Sequence, residues 1–342
     1  MSRFRVVFCG AIEPPRPLLE PALNEVDAEL VAANPRTADE LVAATRDADA
    51  IILHGAVPMP REAFAALGRC RIVARTGVGV DRIDLAAAAE RGIYVTNAAG
   101  CNAIEVAEHT IGLLLALARK IVRMNAYVHA GRWQRHSAEL HAYRGRVRRV
   151  TGQTLGLVGL GRVGRQVAPR AKGLGLEVLA VDPYLDPAIA RGLDVPLVAL
   201  DDLLPRVDFL SLHCPLTEET RHLIDARRLA QMKPGAYLLN CARGEVVDPA
   251  ALYQALVDGH LAGAALDVTE PEPINPDNPL LTLDNVLITA HTAANSDESF
   301  ADCQRHAAGE VALVLMGEQP TTAVNQPWLH AHQPAERTFG GV

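Results

Sequence analysis

The stretch TLGLVGLGRVGRQVA, Thr154 to Ala168, decides the fold. An apolar run leads into Gly159, Gly161 and Gly164, spaced Gly-x-Gly-x-x-Gly, and an amphipathic run follows. The first glycine permits a tight turn, the second lets backbone approach a pyrophosphate, and the third lets a helix pack close to its strand. The stretch therefore predicts a strand, a phosphate-binding turn and a helix N-terminus.

The next apolar run, LEVLAVD, ends at Asp182. An acidic residue at this place accepts hydrogen bonds from the ribose hydroxyls of adenosine and repels a 2′-phosphate. No arginine or lysine follows in DPYL. The sequence therefore favours NAD over NADP as the cofactor.

Short β-branched runs alternate with Ala- and Leu-rich amphipathic runs along the chain. Continuous apolar strands separated by helices are typical of parallel sheets covered on both faces. The pattern predicts an α/β protein with two doubly wound, Rossmann-like domains. The predicted strands are FRVVFC, DAIIL, CRIVAR and GIYVTN before residue 100, and TLGLVG, LEVLAVD, VDFLSLH, AYLLN, GAALDV and NVLIT between 150 and 290.

Two helical runs could carry the chain between these domains. The first is one unusually long helix from Asn102 to about Gly131, and the second runs from Ser296 to Met316. A shorter run, TADELVAAT, opens with a capping box formed by Thr37 and Glu40.

Composition excludes several classes of function. The chain has 342 residues, a net charge of −7 and a pI near 5.9, which does not support binding to nucleic acid or anionic membranes. No apolar run reaches the ~20 residues of a membrane helix. Six scattered cysteines without a Cys-x-x-Cys pair indicate reduced thiols in the cytoplasm, and no cluster has metal-ligand spacing.

Charged residues with catalytic chemistry follow several predicted strands. Arg243 lies in NCARG, Glu270 and Glu272 in DVTEPEP, and His291 ends a short apolar run. The carboxyl ends of parallel strands meet at one edge of a sheet, where ligands bind. A guanidinium can hold a carboxylate, a histidine can pass a proton, and a nearby carboxylate can orient that histidine. We expect a hydride-transfer site here.

Four blocks together, GLGRVG with its following Asp, NCARGEVVD, GAALDVTEPEP and LITAHTAA, resemble the D-isomer-specific 2-hydroxyacid dehydrogenases over residues 5 to 325. The resemblance implies an NAD domain inserted into a discontinuous substrate domain. It places the NAD domain at 102–296, the substrate domain at 1–101 and 297–330, and a flexible tail at 331–342. It also implies a homodimer and the interconversion of a small D-2-hydroxy acid and its 2-oxo acid.

The resemblance also assigns site residues. It makes Arg243, Glu272 and His291 catalytic, and leaves Glu270 as a solvated neighbour. The expected cofactor contacts are Gly159, Gly161, Arg162, Val163, Gly164, Asp182, His213, Cys241, Ala242, Asp267, Ala293 and Ala294. The expected substrate contacts are Arg75, Gly77, Val78 and Gly79, where glycine N–H groups can meet a carboxylate.

Other polar residues receive structural roles. His109 on the long helix and His54 after a first-domain strand are expected to pack rather than bind, and Cys241 is expected to fill space. Asp248 before Pro249 predicts a helix N-cap.

The substrate stays open between hydroxypyruvate, glyoxylate and 3-phosphoglycerate. Glu272 argues against formate-oxidising relatives, which carry Gln there, and Val78 argues against phosphite-oxidising relatives, which carry Lys. Ala290 departs from the proline that commonly precedes the catalytic histidine.

A regulatory function is the alternative. RVGRQVAPRAKGLGLEVLAVDPYL and LHCPLTEETRHLI resemble the C-terminal-binding proteins, which are NAD-sensing dimers. Those proteins carry a tryptophan in the loop after the catalytic histidine, whereas TAANSDES has none. The sequence therefore favours a metabolic enzyme.

Overall fold

The computed structural model describes residues 3–55, 57–133 and 138–325, and the chain divides into two compact units. Of the described residues, the first unit contains those up to Asn102 and those from Asn295 to Asn325, and the second contains those within Ala103–Ala294. Each unit is built on one parallel sheet with helices on both faces. The predicted fold class is therefore confirmed. The predicted tail, 331–342, lies outside the described residues.

The first sheet has the strand order β2-β1-β3-β4-β5, and the second has the order β11-β10-β9-β8-β6-β7. All neighbouring strands pair in parallel. The strand order reverses beside the first strand of each unit, which is where doubly wound sheets open a crevice. The strands are β1 Phe4–Cys9, β2 Ala28–Ala33, β3 Ala50–Leu53, β4 Ile72–Arg75, β5 Tyr94–Thr96, β6 Thr154–Val158, β7 Glu177–Val181, β8 Phe209–Leu212, β9 Ala236–Asn240, β10 Leu261–Leu266 and β11 Val286–Ile288.

The helices cover both faces of each sheet, and short 3-10 turns occupy Leu204–Arg206, Gly244–Val246 and Pro279–Thr282. The α-helices are α1 Arg16–Asn24, α2 Ala38–Thr45, α3 Arg61–Ala66, α4 Leu85–Glu90, α5 Ala103–Ala118, α6 Ile121–His129, α7 Ala138–Arg144, α8 Arg162–Gly173, α9 Pro187–Gly192, α10 Leu200–Leu203, α11 Ala226–Gln231, α12 Pro249–Val257 and α13 Asp297–Leu315.

Two sequence predictions were wrong in detail. The strand β2, AELVAA, was missed because Ala, Leu and Glu favour helices, whereas pairing with β1 makes the segment a strand. The predicted single helix from residue 102 to about 131 is divided into α5 and α6, because Lys120 adopts a left-handed backbone with φ of 57°.

Helix caps follow the sequence prediction more closely. Thr37 accepts a hydrogen bond from the N–H of Glu40 at the start of α2, and Asp248 accepts from two N–H groups of α12. The Glu40 carboxylate takes the N–H of Arg36 rather than that of Thr37. The second predicted long helix is α13, with Ser296 as its N-cap.

A buried aspartate stabilises the start of the central strands in each sheet. In the first unit Asp49 accepts the N–H of Arg5 at 2.8 Å and is paired with Arg69. In the second unit Asp208 accepts the N–H of Thr154 at 3.0 Å. Both aspartates are at most 6% exposed. Each joins two neighbouring strands by this side-chain bond and by a backbone bond to the same residue, so the strand starts have no unpaired N–H there.

Among the described residues, no helix is both long and apolar enough to cross a membrane.

Asp208→Ala is expected to lower the free energy of unfolding of the second unit by roughly 2–4 kcal/mol, because it leaves buried donors without an acceptor. Asp208 also receives Arg148 and Lys233 at 3.3 and 3.2 Å. Asp201→Ala is the control: its carboxylate is 57% exposed where it pairs with Arg227 and Arg228, and surface pairs contribute about 0–1 kcal/mol. Urea denaturation of both variants measures the difference, and equal losses would contradict this role of Asp208.

Candidate active site

The glycine turn lies where the strand order reverses, between the carboxyl ends of β6 and β8. Gly159 has φ of 97°, and a Cβ atom there would lie 2.8 Å from the main chain of His213. A Cβ atom on Gly164 would lie 2.4 Å from the carbonyl oxygen of Gly159. These two positions can hold only glycine without movement of backbone.

Gly161 differs from the other two glycines because the space beside it is open. It is the N-cap of α8, and a Cβ atom there would meet nothing within 4 Å. Arg162 and Val163 form the first positions of α8, with Arg162 partly exposed. A helix N-terminus with open space in front of it fits the pyrophosphate of a dinucleotide.

Asp182 follows β7 and joins the glycine turn to the next loop. Its carboxylate accepts the N–H of Leu160 at 2.9 Å and the N–H of Tyr184 at 3.1 Å. A carboxylate has about four acceptor positions, so two remain for ribose hydroxyls. The Tyr184 hydroxyl donates to Glu219 at 2.9 Å. Tyr184, which the sequence did not single out, thus joins Asp182 to Glu219 by one hydrogen bond to each.

His213 follows β8 and lies against the glycine turn. Its Nε2 is 2.9 Å from Ser211 Oγ, and its Nδ1 is buried without a partner among the described residues. Burial lowers the pKa of His213 to about 4. The imidazole is therefore neutral at physiological pH, which agrees with a wall of the site and not with proton transfer.

Arg243 follows β9 in a loop shaped by Asn240. The Asn240 side chain is buried, donates to the carbonyl of Arg243 at 2.8 Å and accepts the N–H of Ala242 at 3.0 Å. A Cβ atom on Gly244 would lie 2.1 Å from the main chain of Thr269. The loop of Arg243 is thereby held directly against the loop that carries Glu270 and Glu272.

His291 and Glu272 form the expected pair. His291 Nδ1 lies 2.7 Å from Glu272 Oε1. An ionised carboxylate can only accept, so Nδ1 carries the proton and donates it. The other ring nitrogen, Nε2, is then the atom that can exchange a proton with a ligand. Both side chains are partly exposed, 45% for His291 and 39% for Glu272, so a ligand can reach them.

Asp267 holds the turn that carries His291. Its carbonyl accepts the N–H of His291 at 2.8 Å, and its carboxylate accepts the N–H groups of Thr292 and Ala293, each at 2.9 Å. His291 has φ of 52°, a left-handed conformation that costs a non-glycine residue energy. Ala294 ends the same turn. The buried aspartate therefore stabilises the backbone that presents the histidine.

The prediction that Glu270 is a solvated neighbour was wrong. Glu270 lies 2.7 Å from His222 Nε2 and 3.4 Å from Arg221 Nη1, and its side chain is 28% exposed. These pairs join the DVTEPEP loop to the loop after β8. Nothing in the local sequence separates the two glutamates by partner, because His222 lies 48 residues away along the chain.

Cys241 is half-buried beside the turn of Arg243, with Ala242 next to it. Burial raises the pKa of its thiol to about 12, and Thr110 is its hydrogen-bond partner. The thiol stays protonated, so it fills space, as the sequence predicted.

The expected substrate residues lie in the first unit, after β4. The Arg75 guanidinium donates to the carbonyl of Gly55 and lies over Gly77, whose Cβ atom would be 3.6 Å from Arg75 Nε. Val78 is 40% exposed and Gly79 follows it in the loop. His54 follows β3; burial and then Arg75 lower the pKa of His54, and its Nδ1 lies 2.8 Å from Thr76 Oγ1.

His109 and Thr289, which were not predicted to belong to the site, lie beside Asp267. His109 Nε2 lies 3.1 Å from Thr289 Oγ1, and Thr289 donates to Asp267 at 2.5 Å. The sequence offered little to identify them as neighbours of the site. Thr289 stands two residues before His291, and His109 stands one residue before the buried Thr110. Among the described residues, no group of three or more His, Cys, Asp or Glu could hold a metal ion.

Gly161→Ala and Gly164→Ala are expected to separate cofactor binding from folding. Gly164→Ala should lower the free energy of unfolding by roughly 1–3 kcal/mol, because its Cβ overlaps backbone. Gly161→Ala should fold normally but weaken NADH binding at least about 10-fold, because the methyl group occupies the approach to the pyrophosphate. NADH fluorescence titration and thermal unfolding measure the two effects.

Gly173→Ala is the matched control in the same helix, since a Cβ atom there meets nothing within 4 Å. It should leave NADH binding unchanged and should not lower the free energy of unfolding. A Gly161→Ala protein that binds NADH like wild type would contradict the assignment of this turn.

Stability at acid pH is expected to depend on His213. Its folded pKa lies below the unfolded value of 6.5, so its contribution is complete above pH 6.5 and is lost as the pH falls toward 4. Between pH 7 and 5, wild type should lose roughly 1–2 kcal/mol more than His213→Gln in urea denaturation. Equal losses would show that His213 is not buried in its neutral form.

Comparison with known proteins identifies the family. The family model for the NAD binding domain of D-isomer specific 2-hydroxyacid dehydrogenases matches residues 111–293. The chain is 42% identical over 296 residues to a glyoxylate reductase of Korarchaeum cryptofilum and covers 88% of that protein. It is 40% identical over 315 residues, 91% of this chain, to a D-3-phosphoglycerate dehydrogenase of Methanocaldococcus jannaschii. The chain spans 58% of the length of that enzyme.

The fold has close counterparts among solved structures. The TT0316 protein of Thermus thermophilus superposes with a TM-score of 0.84 at 36% identity, covering 94% of this chain and 100% of that chain. The glycine turn, Asp182 and the helix N-terminus of α8 fit the cofactor named by the family model. The chain belongs to the D-isomer-specific 2-hydroxyacid dehydrogenase family, and residues 111–293 form its NAD-binding domain.

Proposed function

We propose that this protein is an NAD-dependent oxidoreductase that interconverts a small D-2-hydroxy acid and its 2-oxo acid. The observation that carries the proposal is the His291–Glu272 pair, 2.7 Å apart, at the carboxyl edge of the same sheet as Arg243 and the glycine turn. A proton donor, a cation and a dinucleotide-binding turn at one sheet edge are what the reaction needs.

His291 carries the proton in this proposal. Glu272 accepts a hydrogen bond from Nδ1–H and so fixes the tautomer and the orientation of the ring. Nε2 of the imidazolium donates its proton to the oxygen on C2, which gains negative charge during reduction. In oxidation the neutral ring takes the proton of the substrate hydroxyl.

Arg243 binds and polarises the 2-oxo acid. A guanidinium can donate two parallel hydrogen bonds to a carboxylate and stabilise charge on the neighbouring carbonyl oxygen. Asn240 and the close contact of Gly244 hold the Arg243 loop in place. In the first unit, Arg75 and the N–H groups of Gly77, Val78 and Gly79 are proposed substrate contacts.

The cofactor is held by the turn from Gly159 to Gly164, by Asp182 and by the loops after β8 to β11. NADH, when bound, supplies the hydride that reduces C2. Oδ2 of Asp267 accepts one N–H group and so keeps a second acceptor position. Cys241, Ala242, Ala293 and Ala294 would offer small side chains to the nicotinamide.

The test is NADH oxidation by the purified protein with glyoxylate, hydroxypyruvate and 3-phosphohydroxypyruvate, beside a His291→Ala control. Relatives near 40% identity include both glyoxylate reductases and phosphoglycerate dehydrogenases, so the panel spans substrates with and without phosphate. Turnover that disappears in the control supports the proposal and ranks the substrates. Tight NADH binding without turnover on any of them would favour the NAD-sensing alternative.

The two glutamates of DVTEPEP are expected to differ in effect. Glu272→Gln should lower kcat about 10- to 100-fold and change its pH profile, because an amide does not enforce the Nδ1–H tautomer of His291. Glu270→Gln should keep kcat within about two-fold, since Glu270 pairs with the exposed side chains of His222 and Arg221 and not with His291. Steady-state kinetics from about pH 5 to 10 measure both. Equal effects would contradict the assignment of Glu272.

We also propose a homodimer formed through the second unit. Helix α6 exposes Ile121, Val122 and Val128, each at least 44% accessible, and single-chain proteins rarely leave such a row uncovered. The wild type should sediment at twice the 36.6 kDa chain mass, and Val122→Asp should dissociate it. Val257→Asp, at a 51% exposed position on α12, is the control. A monomeric wild type would overturn this proposal.

A reducing compartment, the cytoplasm, is the proposed location. All six cysteines are free thiols in the structure. Burial raises the pKa of Cys9, Cys70 and Cys214 to about 12, so these thiols are protected from oxidation.

A further inference from the structure

A histidine outside the proposed catalytic set is connected to the turn that carries His291. His109 lies on α5, which packs against β9 and β10. Its Nε2 is 3.1 Å from Thr289 Oγ1 and 3.6 Å from Asp267 Oδ1. All three residues belong to the second unit. His109 thus meets the strand ends that support the proton donor, although it contacts neither His291 nor Glu272 directly by any hydrogen bond among the described residues.

The hydrogen-bond donors of this cluster can be assigned from chemistry. Thr289 Oγ1 lies 2.5 Å from Asp267 Oδ1, a distance typical of a hydroxyl that donates to a carboxylate. A hydroxyl has one proton, so Thr289 cannot also donate to His109. The bond between Thr289 and His109 is therefore donated by Nε2–H of the imidazole.

The chain of bonds ends on the backbone of the proton donor. Asp267 receives Thr289 Oγ1–H and the N–H of Thr292 on one oxygen, and the N–H of Ala293 on the other. Its carbonyl receives the N–H of His291. Any rotation of the Asp267 carboxylate would release two N–H groups of a turn whose histidine is in a left-handed conformation.

Helix α5 gives His109 a rigid base. The next residue, Thr110, is fully buried, donates to the carbonyl of Val106 at 2.7 Å and is the hydrogen-bond partner of the Cys241 thiol. Consecutive residues of one helix therefore contact the loop after β9 and the cluster at the ends of β10 and β11. The imidazole is 25% exposed, so part of the ring packs against the protein and part remains accessible to water.

We propose that His109 is a positioning residue: it donates Nε2–H to Thr289, and through Thr289 and Asp267 it fixes the turn that presents His291. This inference rests on the proposed reductase activity for its kinetic consequence, but not for the hydrogen-bond assignment. A merely space-filling His109 would need no particular tautomer.

The kinetic test compares His109→Leu with His109→Gln, whose amide can still donate. His109→Leu is expected to lower kcat about 10-fold with little change in the KM of the oxo acid, because a misplaced proton donor affects reaction more than binding. His109→Gln should restore most of the loss. In a Glu272→Gln background, which keeps measurable turnover, His109→Leu should cause less than its full single-variant loss, because both changes act on the same histidine.

His260→Leu is the matched control. His260 precedes β10 at the end opposite to Asp267, and its Nε2 lies 3.0 Å from the carbonyl of Leu229. Its kcat should equal that of wild type. A His109→Leu protein that turns over like wild type, or losses that simply multiply in the Glu272→Gln background, would overturn the proposal.

An NMR measurement keeps the inference testable without turnover. In ¹⁵N-labelled protein at about pH 8.5, where an ordinary imidazole is neutral, His109 should be in the Nε2–H form. Thr289→Val should remove this preference. A bare Nε2 in wild type would overturn the assignment. Inactive wild type with the Nε2–H tautomer would instead count against the proposed reductase activity alone.

Discussion

The arrangement of the active site depends on the buried carboxylate of Asp267. The residue is 2% exposed, and its carboxylate takes a hydroxyl and two backbone N–H groups, while its carbonyl takes the N–H of His291. A buried carboxylate requires such donors, because without them its desolvation would be uncompensated. The same donors would be left without an acceptor if the carboxylate were absent. The bonds that fold the turn are therefore the bonds that hold the backbone of His291 in place.

The two units share the same arrangement of an aspartate, a histidine and a glycine around their central strands. In each, a buried aspartate joins the first strand to the strand beside it, and a histidine follows that second strand, opposite a glycine. In the second unit the pair is Gly159 with His213, and in the first it is Gly10 with His54. Only the second unit continues with the Gly-x-Gly-x-x-Gly spacing and an open helix N-terminus, so among the described residues only it carries the features that fit a dinucleotide.

The sequence predicted local structure well where one residue type has a single explanation. Gly159 and Gly164 lie where a side chain would overlap backbone, and Asp248 before proline caps its helix, as local chemistry requires. Prediction was weaker where propensity and tertiary pairing disagree. The segment AELVAA reads as a helix by composition and becomes a strand by pairing with β1, and Lys120 ends a helix whose apolar pattern continues.

The sequence by itself determined the fold class and the family, because these depend on local patterns and on residue order. Only the tertiary structure decided which partner each polar group meets. Glu270 and Glu272 are two residues apart, and each precedes a proline, yet one pairs with His222 and the other with His291. His109 reaches Thr289 across 180 residues of chain. Such contacts are set by where parallel strands end, a property of the packed sheet rather than of any short segment.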